Sequence, residues 1–222
     1  MKITSKNDEF AIFDEVFDNE TYEKFVKFFC DHDFVRNSGK HEKVWRVCDG
    51  EFLAGKNYFS QHMPFNNPLD WLCTYIKILV KDHVGHIVGK EGEDWEQWTL
   101  RPYIYPAGTR ISWHNDYGFS AACIFYCHKE WSPSWGGELM VAKVPTGTNA
   151  PNLESISDDD FSRKKIKPLL DYYGLGSYIC CLPNRLVFTK GNVWHTINRV
   201  DKDAGENLRF SIVVFFMKKD KK

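Results

Sequence analysis

The sequence predicts an α+β fold that is mainly β, a sandwich or jelly roll with N-terminal helices packed on one sheet. Two observations predict it. Apolar residues recur at helical spacing only within residues 1–94, and from Trp95 onward six or more short strand-like runs follow one another, separated by turns. A chain of 222 residues can bury a full core, and its length allows one domain or at most two, of which a single domain is expected. In this reading residues 1–94 form a helical support region and residues 95–217 the strand core.

Taken in order, Phe10-Ala11-Ile12-Phe13 is a short apolar run suited to an opening strand. Asp18-Asn19-Glu20-Thr21 offers capping groups to a helix carrying Tyr22, Phe25, Val26, Phe28 and Phe29 and ending near Asp31 to Asp33. Val44-Trp45-Arg46-Val47 has strand character. Asn67-Pro68 marks a helix start with proline at the first helical position, and Leu69, Leu72, Cys73, Ile76, Leu79, Val80, His83 and Ile87 then recur at three and four. His83 and His86 lie on or beside this helix without a carboxylate at metal spacing, so they are read as structural. Beyond the polar loop Gly89 to Glu93, Trp95, Gln97, Thr99 and Arg101 alternate with Glu96, Trp98 and Leu100. The later strands are expected at Ile111 to Trp113, Phe119 to Cys127, Glu138 to Lys143, Arg185 to Thr189, His195 to Val200 and Asn207 to Met217. Residues 145–176 interrupt the pattern and are expected to form an insertion or lid.

Composition narrows the functions. Lysine and arginine total 29 against 30 aspartates and glutamates, so no strong field argues for a nucleic-acid or membrane partner. The N-terminal residues lack the apolar run of a signal peptide, no stretch is long enough to span a bilayer, and a cytoplasmic protein is the expectation. The seven cysteines include no Cys-x-x-Cys pair, which argues against zinc or a dithiol redox motif. Cys30, Cys73, Cys123 and Cys127 sit among apolar neighbours and are expected in the core. Cys180-Cys181 is read as two thiols, because a vicinal disulfide is strained.

The most chemically suggestive stretch is Ser112-Trp113-His114-Asn115-Asp116. Side chains two residues apart on an extended segment share a face, so His114 and Asp116 can offer an imidazole and a carboxylate together. His195, in the apolar segment Gly191 to Ile197, is available as a third ligand. Two histidines and one carboxylate on one side of an ion suit non-haem ferrous iron.

The wider surroundings carry a resemblance. Tyr103-Ile104-Tyr105-Pro106-Ala107-Gly108 precedes the motif and Gly136-Gly137-Glu138-Leu139 follows it. Then come Asn184 to Phe188, Trp194-His195 and Leu208-Arg209-Phe210-Ser211. In this order and spacing, residues 95 to 217 resemble the Fe(II)/2-oxoglutarate dioxygenase superfamily, in particular its prolyl-4-hydroxylase-like branch. The resemblance implies a double-stranded β-helix with iron at one mouth, held by His114, Asp116 and His195. It implies 2-oxoglutarate and O2 as cosubstrates, with release of succinate and CO2. It also implies hydroxylation of an unactivated C–H bond of an amino acid, free or within a peptide, protein or small natural product. Halogenases of this kind carry a small residue where Asp116 stands, so halogenation is not expected.

The far carboxylate of 2-oxoglutarate needs a cation, and arginine can meet it with two parallel hydrogen bonds. If the strands carrying His195 and Arg209 form a hairpin turning near Ala204-Gly205, Arg209 lies opposite Arg199, about 13 Å along from His195 at roughly 3.3 Å per residue. Arg199 has the same parity and competes, and Arg110 and Arg101 are further candidates. The family pattern Arg-x-Ser matches Arg209-Phe210-Ser211, which selects Arg209 with Ser211 assisting. Tyr103, ahead of Tyr105, is the candidate hydroxyl at the same carboxylate. Trp113 and Trp194 are expected to wall the site, Asn115 to face away, and Gly136-Gly137 to relieve crowding without a chemical role. Prolyl 4-hydroxylases generally use lysine where Arg209 stands, which argues against prolyl specificity. The alternatives are an oxidative demethylase of alkylated nucleic acid, which would need a basic groove with stacking aromatics, and a catalytically silent jelly-roll binding module.

Overall fold

Helices pack on the outer face of a large sheet whose inner face looks across at a smaller one. The computed structural model describes residues 1–38, 49–143 and 175–219. Its strands in chain order are β1 (Lys2–Lys6), β2 (Phe10–Asp14), β3 (Val35–Ser38), β4 (Glu51–Ala54), β5 (Tyr58–Phe59), β6 (Trp95–Tyr105), β7 (Ile111–His114), β8 (Phe119–Tyr126), β9 (Leu139–Ala142), β10 (Gly176–Ile179), β11 (Leu186–Lys190), β12 (His195–Ile197) and β13 (Arg209–Lys218). The nine-stranded sheet runs β1-β2-β11-β8-β13-β6-β4-β3, with β5 also on β6, and the four-stranded sheet runs β10-β9-β12-β7. All ladders are antiparallel. This is the jelly roll, a double-stranded β-helix with added strands.

The helices form where capping and periodicity place them. Helix α1 (Asn19–Asp31) starts at Asp18, whose carboxylate accepts from the Thr21 amide at 2.8 Å, and it buries Tyr22, Phe25 and Phe29. Helix α2 (Leu69–Leu79) buries Leu69, Leu72, Cys73, Ile76 and Leu79. Pro68 is its cap rather than its first helical residue. The helix continues through a π turn (Val80–Val84) into α3 (Gly85–Val88), one turn long. Phe125 of β8 sits at the centre of this packing, its ring 5.1 Å from Phe25, 5.5 Å from Phe17 and 6.2 Å from Tyr22. No helix among the described residues is long and apolar enough to cross a membrane.

Strand β13, between β8 and β6, divides its side chains by period two. Ile212, Val214 and Phe216 enter the helix-side core, whereas Val213 enters the core between the sheets. Arg209 and Ser211 share that inner parity.

Several sequence expectations change. The first 94 residues supply five strands as well as helices. A bulge opposite Met217 and Lys218 shifts the parity of β6, so Trp95 shares the face of Trp98, ring centroids 6.0 Å apart, instead of that of Gln97. Strands β12 and β13 do not form a hairpin. They belong to opposite sheets, and the connection between them, with its turn at Lys202–Ala204, crosses the sandwich. Cys30 is exposed, while Cys180 and Cys181 are both free thiols. The Val44 to Val47 strand and nearly all of the 145–176 insertion fall outside the described residues.

Removing the Phe125 ring should open a cavity between helices and sheet. Phe125→Ala is expected to lower the unfolding free energy by about 3–5 kcal/mol in urea titration, and a loss below about 1 kcal/mol would show that this contact does not anchor the helical layer.

Candidate active site

The structure brings His114, Asp116 and His195 together at one end of the interior, each buried, with their candidate donor atoms all within 4.8 Å of one another. Among the described residues this is the one such grouping of histidine, cysteine and acidic side chains. His195 stands directly across the ladder from His114, with their ring centroids 4.3 Å apart. An irregularity in the β12–β7 register lets both His114 and Ile111 pair from one strand with His195 and Ile197, which differ by two. Asp116 lies two residues on, beyond the end of β7 rather than within the strand, its Oδ1 3.9 Å from His114 Nε2 and its Oδ2 3.5 Å from His195 Nε2.

Both imidazoles are oriented the same way. Nδ1 of His114 lies 2.7 Å from the Ser112 carbonyl, and Nδ1 of His195 lies 2.9 Å from the Val193 carbonyl. A carbonyl can only accept, so each Nδ1 carries the proton, and in the neutral ring Nε2 holds the lone pair on the side of Asp116. Burial pushes the Asp116 carboxyl above the usual carboxylate range, with His195 pulling the other way. A divalent cation would reverse that cost. The donor set therefore fits a metal that accepts two imidazoles and a carboxylate.

Gly191 allows this convergence. A Cβ there would stand 2.1 Å from the Phe119 carbonyl oxygen and 2.9 Å from that of Asp116, so the turn leading to His195 can approach the Asp116 loop only without a side chain.

Arg209 lies fully buried on the inner face of the large sheet. Its Nε donates to the Gly137 carbonyl at 2.9 Å, its Nη1 to Ser211 Oγ at 3.4 Å, and its Nη2 has no partner. The rings of Tyr105 and Tyr126 flank the guanidinium, each centroid 4.9 Å away. No carboxylate among the described residues pairs with it. Around it, His128 is neutral because burial, with Arg209 beside it, pushes the imidazole down to about 3, and its Nε2 contacts the Cys181 carbonyl at 2.7 Å. The Tyr126 phenol is pushed up to about 12 by burial against the pull of the nearby Arg209 guanidinium, remains a donor, and has no hydrogen-bond partner for its hydroxyl among the described residues. A buried cation with an unused donor beside an unused hydroxyl fits an incoming carboxylate.

The competing arginines are engaged elsewhere. Arg110 pairs with Asp49 at 3.0 Å, Arg101 donates to the Gly55 carbonyl at 3.0 Å, and the exposed Arg199 donates to the Gly108 carbonyl. Tyr103 lies in the interior against Phe52 and Tyr105, with the Arg101 guanidinium 5.4 Å over its ring. Tyr126, which sequence reasoning missed, is set against Arg209 together with Tyr105. Its signal was parity, since it pairs with Ser211 and shares a face with Ile124. Gly137 was also undervalued. At φ +75°, a Cβ on it would meet Arg209 Cδ at 2.8 Å. Trp194 is buried, Trp113 is half-buried, and the Asn115 side chain accepts from the Tyr117 amide at 3.4 Å.

Comparison with known proteins places this geometry. Residues 100–217 match the family model described as the 2OG-Fe(II) oxygenase superfamily. No curated protein sequence matches the chain significantly. Among solved structures, a Pseudomonas putida prolyl-4-hydroxylase is similar at TM-score 0.61 and 12% identity, over 94% of this chain and 92% of that one. A Trichoplax adhaerens prolyl hydroxylase, solved with a hypoxia-inducible-factor oxygen-degradation-domain peptide fragment, is similar at TM-score 0.61 and 12% identity, over 95% and 84%. The non-heme alpha-ketoglutarate-dependent epimerase SnoN from nogalamycin biosynthesis is similar at TM-score 0.62 and 12% identity, over 94% and 78%. At these identities the likeness is one of fold.

His195→Ala should weaken ferrous iron binding by more than about 100-fold, beyond the loss expected from removing an outer partner of a ligand. Anaerobic calorimetry would measure this, with circular dichroism to verify the fold, and an unchanged affinity would remove His195 from the ligand set.

Proposed function

The chain belongs to the 2OG-Fe(II) oxygenase superfamily, and on that premise we propose that it hydroxylates an unactivated C–H bond of an amino acid, free or carried in a peptide, protein or small natural product. The observation that supports this most directly is the buried Arg209 guanidinium, which has no anionic partner among the described residues, in the same interior as the His114, Asp116 and His195 cluster. The family's reaction uses iron(II), 2-oxoglutarate and O2, and these supply the oxidising power for C–H cleavage.

In this reading His114 and His195 offer Nε2 and Asp116 a carboxylate oxygen to the iron, the Nδ1 protons being held on backbone carbonyls. Arg209 receives the far carboxylate of 2-oxoglutarate through Nη2, with Ser211 and the Tyr126 hydroxyl completing its hydrogen bonds and Tyr103 closing the interior nearby. The two flanking tyrosine rings exclude water from the guanidinium, which strengthens its attraction for the carboxylate. Neutral His128 adds no charge to repel Arg209. Asp116, as a carboxylate rather than a small residue, occupies the position a halide would need.

The amino-acid reading draws on the two prolyl hydroxylases among the similar structures, and the epimerase among them is the reason to assay product mass as well as turnover. Anaerobic addition of ferrous iron and then 2-oxoglutarate should produce a weak visible charge-transfer band that His195→Ala lacks. Candidate amino acids and peptides can then be screened for succinate release with gain of one oxygen atom. Succinate formed without oxygen in the product would replace hydroxylation by another C–H reaction, and no band with iron bound would replace the cosubstrate assignment.

Arg209→Ala should raise the KM for 2-oxoglutarate by about ten- to 150-fold, the equivalent of a charge-assisted hydrogen bond worth about 1.5–3 kcal/mol. Steady-state succinate formation would measure it, and a KM equal to that of the unaltered protein would exclude Arg209 from cosubstrate binding.

A further inference from the structure

We propose that Asp49 is a positioning residue for the metal centre, a buried carboxylate that clamps strand β7 and through Ser112 sets the orientation of His114. The inference rests on the reading of His114, Asp116 and His195 as metal ligands.

Strand β7 has four residues and, among the described residues, ends the four-stranded sheet, paired with β12 in an irregular register. On the side away from β12 no described strand pairs with β7, and on such an edge side-chain groups can take up the outward amides. His114 is its last residue.

Asp49 supplies the missing partner. It is fully buried, and its carboxylate accepts from Ser112 Oγ at 2.6 Å, from the Ser112 amide at 3.2 Å and from Arg110 Nε at 3.0 Å. Its carbonyl accepts from the Arg110 amide at 2.9 Å. Ser112 is thus held at its backbone and its side chain by one charged group, and charge-assisted bonds of this kind are among the stronger ones available. The carbonyl of Ser112 is the acceptor for His114 Nδ1, at 2.7 Å. Asp49, Ser112 and His114 therefore form a continuous chain of polar contacts leading to the candidate metal. Groups that orient a ligating histidine from outside commonly govern metal affinity, and losing one costs about 10–100-fold. His195 has the same kind of carbonyl contact, but β12 is flanked by both β9 and β7, so its backbone is fixed by the ladders.

The test uses cobalt(II) as a spectroscopic probe under anaerobic conditions, with Asp49→Asn and the milder Ser112→Ala. Asp49→Asn keeps the size and one acceptor oxygen but loses the charge and presents an amide to groups that donate. It should weaken cobalt(II) binding about 10–100-fold and alter the visible absorption of the bound ion. Ser112→Ala should act in the same direction to a smaller degree. Asp14→Asn is the control for a merely structural effect. It breaks the remote Asp14–Arg185 pair, at 2.6 Å, and should lower Tm while leaving cobalt(II) affinity and spectrum as they were. Unaltered protein that binds no cobalt(II) overturns the metal reading and this inference with it. Binding by the unaltered protein together with unchanged affinity and spectrum in folded Asp49→Asn overturns the inference alone. Should Asp49→Asn fail to fold, unchanged binding by Ser112→Ala does so.

Discussion

A positive charge is buried in the middle of this protein with no negative partner among the described residues, and much of the interior is arranged to keep it there. Arg209 is fully inaccessible, yet its guanidinium is only partly satisfied, by a backbone carbonyl, a serine hydroxyl and two aromatic faces. Leaving a charge uncompensated in a dry interior is among the costlier things a fold can do. It persists because the surroundings over-determine its position. Strand β13 is paired on both sides along most of its length, so the arginine cannot leave without disturbing the centre of the large sheet.

The two faces of that sheet divide the work. The outer face, packed with Phe125, Phe188, Val214 and Phe216 against the helices, is uniformly apolar and supplies the stability on which a polar interior depends. The inner face carries Arg209, Ser211, Tyr105 and Tyr126 among aliphatic neighbours. Along β13 the division falls between successive residues, so a one-residue slip would exchange a hydrophobic core for a binding surface. The metal-ligand candidates sit on the smaller sheet, across the interior, on short strands and a turn. The rigid half of the sandwich thus faces the half with the less regular backbone.

Much of this was legible in the sequence, for definite reasons. Both long helices announce themselves through three-and-four spacing and their caps, and the main strands of the second half through apolar runs between turns. His114 and Asp116 could be placed on one edge because extended chain repeats every two residues, and His195 because it opens a short apolar strand. What failed to show were features set by pairing. The bulge that turns Trp95 onto the face of Trp98 depends on the partner strand, β3 to β5 and β10 are too short or too polar to announce themselves, and Cys30 lies among apolar letters yet faces outward. The hairpin expected between β12 and β13 assumed that sequential strands pair, whereas a sandwich sends them to opposite sheets. Arg209 was reached by motif even though the distance argument built on that hairpin does not describe the molecule. Tyr126 was overlooked because an aromatic inside an apolar run looks like core packing until its hydroxyl is seen to lack a partner.

Gly137 lends Arg209 both an acceptor and a space, since its carbonyl receives Nε and its missing Cβ leaves room for Cδ. The two positions therefore form one structural unit. Lysine has no Nε–H fork and would use neither the carbonyl nor the space in the same way, and a side chain at position 137 would intrude on the arginine. Replacing arginine by lysine is thus no single-site change here, and its effect depends on what stands at position 137. Substitutions at the two positions should be non-additive, as expected for residues in direct contact.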